Sequence, residues 1–190
     1  MMSGISLFII ANRHKLFIVM FQKQKKIISE ESNFNNQFSE HFFQKINETL
    51  KAQNLTLSQV NNIYSGIGPG SFLIHRTIIT FLKTIKILNK ELKIFIINNL
   101  IYQTGKEKEV ISLIEANKKQ YYIKIINNNS KEINKFNKIQ KEDLNIITKK
   151  YSEYNIYKDL EGFDHWEKFQ KMRNNFQEIL NWKKLKSIEL

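Results

Sequence analysis

Tyr64-Ser65-Gly66-Ile67-Gly68-Pro69-Gly70-Ser71-Phe72, continued by Leu73-Ile74-His75-Arg76, places three of the chain's six glycines and its single proline within five residues. Glycine supplies positive φ or close backbone approach, and proline fixes φ and suits the first turn of a helix. The stretch therefore predicts a strand, Val60 to Ser65, that runs through a tight loop into a helix from about Pro69 to Asn89, with Ser71 placed to cap its first turn. A phosphate-binding P-loop needs Lys followed by Ser or Thr after the second glycine, and a dinucleotide fingerprint needs three glycines at wider spacing. Neither is present, and spacing alone leaves a ligand-free turn as open as a binding loop.

Outward from this loop, the chain opens with three apolar runs, Ile5–Ile10, Leu16–Phe21 and Ile27–Ile28, separated by short polar turns. Short connections predict three antiparallel strands. After a polar break at 33–37, Phe38, Phe42, Phe43, Ile46 and Leu50 recur at helical spacing. Leu92–Ile97 is a strand again, so the order is β-β-β-α-β-α-β, that of a ribonuclease H-like or actin-like core of α/β class. Val110–Glu115 and Gln120–Ile126 read as a hairpin, and Tyr151–Tyr157 as a candidate further strand. The Lys- and Asn-rich stretch 127–141, with Ile133, Phe136 and Ile139, gives no clear period. Asp164–Leu185 reads as an amphipathic helix capped by Asp164 and docked on the chain's own core. The sequence shows no internal repeat.

Composition narrows the function. The chain has 190 residues, a formal charge of +12 and no cysteine. That length suits one domain or two small lobes, and the missing cysteines exclude a disulfide framework and thiolate metal sites. The apolar run from Ile5 to Ala11 is too short to span a bilayer, so a soluble cytoplasmic protein is expected. Of thirty basic residues only Arg13, Arg76 and Arg173 are arginine. Nucleic-acid readers lean on arginine for bidentate and stacking contacts, so much of the charge reads as a solvated lysine surface, with a basic RNA-binding module kept as an alternative.

No catalytic constellation emerges. His14, His41, His75 and His165 lack metal-ligand spacing, Ser71 is not set in a nucleophile elbow, and Glu30-Glu31 and Glu142-Asp143 lie in polar turns. No metal ligand set and no catalytic residue are assigned.

Gly68-Pro69-Gly70-Ser71-Phe72, with Arg76 four residues on, resembles the Gly-Pro-Gly-Ser-Phe-Thr-Gly-x-Arg signature of the TsaB (YeaZ) family. Leu73 and Ile74 stand where that family has Thr and Gly. Phe38-Ser39-Glu40 stands for its His-Ser-Glu, Ala11-Asn12 for the Asp-Thr after its first strand, and Glu115-Ala116-Asn117 is similar to its second-lobe Asp-Ala-Arg. The resemblance implies an actin-like (ASKHA) fold, with a first lobe over residues 1–100 and a reduced second lobe over 101–190. It also implies a non-catalytic subunit of the system that installs threonylcarbamoyl on the tRNA adenosine next to the anticodon. The implied partners are a TsaD-like catalytic paralogue, a TsaE-like ATPase and, through the complex, tRNA. A homodimer is a variant of the same interface, and a diverged actin-like kinase or peptidase is a second alternative.

On an ideal helical wheel Ile74, Ile78, Phe81, Leu82, Ile85 and Leu88 form the sheet-facing stripe, with Phe72, Ile79 and Ile87 outside it beside Arg76 and Lys83. The resemblance assigns partner contact to Phe38, Phe42, Ile46, Phe72, Arg76, Ile79 and Lys83. It implies no cofactor held by this chain alone, with nucleotide at a subunit interface left open. Without a carboxylate at Ala11 or Asn12, Mg²⁺ would lack a hard anionic ligand there.

Overall fold

A computed structural model describes residues 4–34, 37–127 and 137–185. In chain order the elements are β1 (Ile5–Ala11), β2 (Lys15–Gln22), β3 (Lys25–Asn33), α1 (Phe38–Lys51), β4 (Val60–Ile67), α2 (Phe72–Leu88), β5 (Lys93–Asn98) and α3 (Asn99–Thr104). There follow β6 (Val110–Asn117), β7 (Gln120–Ile126), β8 (Asn137–Gln140), α4 (Leu144–Lys150), β9 (Asn155–Lys158), α5 (His165–Met172) and β10 (Gln177–Glu178).

The first sheet has the order β10-β5-β4-β1-β2-β3. Strands β1, β2 and β3 form the expected antiparallel meander, with Ile9 opposite Ile18 and Val19 opposite Ser29. Strand β4 runs parallel to β1, and β5 parallel to β4. The continuous apolar run Leu7–Ala11 of β1 follows from burial on both faces. Leu7 and Ile9 join the core under α1 and α2, whereas Phe8 and Ile10 join an aromatic core on the opposite face with Phe169, Met172 and Phe176. Phe8 stacks on Phe169 at 4.4 Å between ring centroids. Strand β3, at the open edge, has exposed and half-buried residues only, and its charged side chains suit an edge.

The second sheet has the order β8-β7-β6-β9. Its hairpin pairs Leu113 with Ile123, and β9 runs parallel to β6. Ile111, Leu113, Tyr121 and Ile123 form its core, against Leu144 and Ile147 of α4. The order β6-β7-β8-α4-β9 repeats β1-β2-β3-α1-β4 with the same strand directions. A repeated topology therefore exists where the sequence shows no repeat. Of the stretch without clear period, Ile139 lies in β8, whereas Ile133 and Phe136 lie outside the described residues.

The C-terminal expectation needs correcting. Asp164 does cap α5, its carboxylate accepting from the Glu167 amide at 2.8 Å, but the helix ends at Met172 rather than continuing to Leu185. Beyond it, Gln177 and Glu178 pair antiparallel with Ile96 and Phe95 of β5, and the Ile179 amide donates to the Ile94 carbonyl at 2.8 Å. The open edge of β5 offers ladder hydrogen bonds that a continued helix would leave unmade. The segment also divides its apolar residues: Phe176 enters the aromatic core, and Ile179 and Leu185 pack on the α1–α2 side. Residues assigned to the second lobe by sequence thus add a strand to the first sheet. Among the described residues no helix is long and apolar enough to cross a membrane.

Candidate functional site

The glycine loop leaves β4 at Ile67 and enters α2 at Phe72. Gly68 has φ 43° and Gly70 φ 146°, and the Gly68–Pro69 peptide is cis. Pro69 therefore lies in the loop rather than in the first helical turn. Ser71 occupies the capping position, but its hydroxyl makes no capping hydrogen bond; its carbonyl accepts from the His75 amide at 3.1 Å. Two buried residues hold the loop. The Asn99 amide N–H donates to the Gly68 carbonyl at 2.7 Å, and Asn99 Nδ2 donates to the Pro69 carbonyl at 3.4 Å and to His75 Nε2 at 3.2 Å. Burial pushes the His75 pKa down to about 4, so the imidazole is neutral and free to accept. A Cβ on Gly66 would lie 2.3 Å from Asn99 Oδ1, and one on Gly70 would lie 2.9 Å from His75 Cε1. The glycines let the loop close onto this pair.

A cleft of about 480 Å³ opens between the two sheets. The β1–β2 turn, the glycine loop with the start of α2, the β6–β7 hairpin and Asp159 line it. Asn12 stands on that turn, and its side chain is committed: Oδ1 accepts from the amides of His14 and Lys15 at 2.8 and 2.7 Å, and Nδ2 donates to the Asp159 carbonyl at 2.7 Å. Arg13 makes an ion pair with Glu115 across the cleft. Asp159 Oδ1 accepts from the Glu115 amide at 2.7 Å, and burial raises its pKa. The cleft thus offers Mg²⁺ poor anionic ligands, because Asn12 has no charge, Glu115 already faces a guanidinium and Asp159 is held by a backbone amide. Among the described residues no three His, Cys, Asp or Glu side chains stand together as a metal site. Glu115-Ala116-Asn117, singled out by resemblance, does line this cleft.

The outer face of α1 and α2 differs from the sequence reading. Phe38, Phe42, Ile46 and Ile79 are all buried within the chain's own core, Ile79 at 7% exposure. Phe38 packs between Phe34 and Phe42, with ring centroids at 4.8 and 5.6 Å. The placement of Ile79 outside the buried stripe is therefore corrected, and so is Leu88, which is exposed. A helix lying against both a sheet and a neighbouring helix buries more of its circumference than one stripe. Ser39 and Thr77 tie α1 to α2 through a 2.8 Å hydroxyl contact. Lys83 turns to the C-terminal segment, donating to the Lys183 carbonyl at 3.4 Å.

Exposed on these helices are Phe43 of α1 at 49%, Phe72 and Leu73 at the start of α2 at 59% and 51%, Arg76, and, at the far end of α2, Ile87 and Leu88. Sequence reasoning missed Phe43 and Leu73 as surface residues. It also missed Asn99 and Asp159 as supports of the loop and cleft. Asn98 was findable, since Asn directly after a strand is a capping signal, and its side chain caps α3.

Two α/β units with β-β-β-α-β order, facing each other across a cleft floored by a strand-to-helix glycine loop, define an actin-like fold. The solved structure of YeaZ from Pseudomonas aeruginosa shares it, with a TM-score of 0.55 and 13% sequence identity over 72% of this chain and 64% of that one. A second structure, described as an uncharacterized protein with similarity to peptidase YEAZ from Pseudomonas aeruginosa, gives the same score and identity over 72% and 63%. This chain therefore spans less than two thirds of the length of either, and the likeness at such identity is one of fold. No family model and no curated protein matches the sequence.

Proposed function

We propose that this chain is a TsaB-like, non-catalytic subunit that dimerises with a TsaD-like transferase and supports threonylcarbamoylation of the tRNA adenosine next to the anticodon. The observation that carries the reading is the pairing of a YeaZ fold with exposed apolar side chains on α1 and α2, Phe43, Phe72 and Leu73, together with the exposed cation Arg76. Exposed aromatic side chains and an arginine are the groups that anchor interfaces, and helix-on-helix packing is the natural way to cover them. The cleft chemistry agrees with a supporting role, since Asn12, Arg13, Glu115 and Asp159 are engaged with one another or with backbone groups. The TsaE-like ATPase and tRNA would be met through the complex.

Co-expression with the TsaD-like protein of the same organism, followed by size exclusion with light scattering, tests the proposal. A heterodimer is expected, lost in Phe72→Glu and Arg76→Glu. Both side chains are exposed, so these variants stay folded, unlike a change at buried Ile79. Two folded proteins that elute separately at high concentration contradict it, and nucleotide hydrolysis by the chain alone would favour a diverged enzyme instead.

A further inference from the structure

On the sheet face away from α1 and α2, a groove of about 570 Å³ opens beside α5. That volume falls in the range of roughly 300–1,000 Å³ usual for small-molecule sites. Its walls are aromatic: Tyr64 and Phe95 stack at 4.6 Å with an interplanar angle of 10°, and Trp166 stacks on Phe169 at 5.6 Å. Arg173 lines it too, its guanidinium 5.3 Å from the ring centres of both Phe21 and Tyr64. The guanidinium donates to the Tyr64 hydroxyl at 3.3 and 3.4 Å and to the Lys23 carbonyl at 3.1 Å. Among the described residues it has no carboxylate partner, and no acidic side chain lines the groove.

The choice of residue is informative. Lysine supplies nearly all the positive charge of this chain, and only three of thirty basic residues are arginine. A lysine can neutralise a surface, whereas only a guanidinium lies flat on rings and still presents N–H groups in a plane. At the rim stand the side-chain amides of Gln24, Gln170 and Asn174, each carrying a donor and an acceptor. Half-buried rings to stack on, a guanidinium without a carboxylate partner and amides able to read a heterocycle's edge match one chemistry.

We infer that the Phe95–Trp166–Arg173 groove binds a nucleotide unit, the base stacked on the half-buried rings of Phe95 and Trp166 and the phosphate on Arg173. The unit could come from a free mononucleotide or from single-stranded RNA, and the charge excess of the chain suits either anion.

NMR titration of the full chain with 5′-AMP and with single-stranded oligoadenylate, read at the indole N–H signals of its two tryptophans, tests this. Saturating movement of the Trp166 signal is expected while that of Trp182, outside the groove, stays put. Arg173→Met, which keeps the apolar stem, and Gln170→Glu, which adds a charge on the exposed side of α5, each weaken binding about tenfold, and adenosine without phosphate binds about tenfold more weakly than 5′-AMP. Oligoadenylate binding far more tightly than 5′-AMP identifies single-stranded RNA as the source, whereas equal affinities identify the free nucleotide. No saturation by either ligand up to about 10 mM, or saturation unchanged in both variants, overturns the assignment.

Discussion

The first and second sheets share a β-β-β-α-β path, but they complete it differently. In the first, β4 passes through the glycine loop into α2, and β5 then extends the sheet. In the second, β9 passes through Asp159 and Leu160, both at positive φ, into α5, and the chain then crosses back to pair β10 with β5. The helix and strand that would enlarge the second unit are spent on the first. The first sheet is therefore covered on both faces and frames the glycine loop and helices α1 and α2, while the second carries a smaller core under α4. One topology can carry a larger or a smaller core depending on where its last helix packs.

The largest expected effect breaks that comparison at its cores. Phe8 is fully buried between sheet and α5, so Phe8→Ala should cost about 3–5 kcal/mol, against about 2–3 kcal/mol for Ile123→Ala in the smaller second core. Chemical denaturation checks both values, and an equal or larger loss at Ile123 would reverse the assigned weights.

Next comes pH. Burial holds His75 at a pKa of about 4, while the unfolded chain titrates near 6.5. As pH falls the unfolded state binds the proton first. The stability contributed by the neutral imidazole is therefore complete above about pH 6.5 and lost as pH falls toward 4, by up to about 3 kcal/mol. Denaturation at stepped pH should show this loss in the wild type and a flatter profile in His75→Gln.

The two strand-to-helix loops give a sharper contrast. Gly70→Ala combines a φ of 146° with a 2.9 Å conflict against buried His75 and should cost about 2 kcal/mol. Gly162→Ala meets no atom within 4 Å and strains only its φ of 85°, for about 1 kcal/mol. Thermal unfolding that ranks them the other way would remove the glycine loop's special status. Smallest is Arg13→Ala, which deletes the ion pair between the units. With Arg13 54% exposed it should change stability by less than about 1 kcal/mol, most visibly at low salt.

Much of this contrast could be read from sequence on the first side and little on the second. Apolar runs with short turns fixed the meander, and the cluster of Gly66, Gly68, Pro69 and Gly70 marked the loop, because those residues report directly on backbone geometry. The burial of Ile79 could not be read, since a helical wheel sees one neighbour while α2 has several. The end of α5 was hidden because a strand edge, not a local breaker, stops the helix. The topological repeat left no trace, as strand pairing requires only apolar alternation and not matching residues. Asp159 and Asn99 act through contacts across the fold, and no local pattern announces them.

Hydrogen–deuterium exchange of this chain, alone and mixed with the TsaD-like protein of its organism, tests the central claim most directly. The account predicts new protection in the backbone amides of α1 and the first half of α2, around Phe43, Phe72 and Arg76, with the second sheet unchanged. Protection confined to the second sheet, or none at concentrations where both proteins are folded, would contradict it.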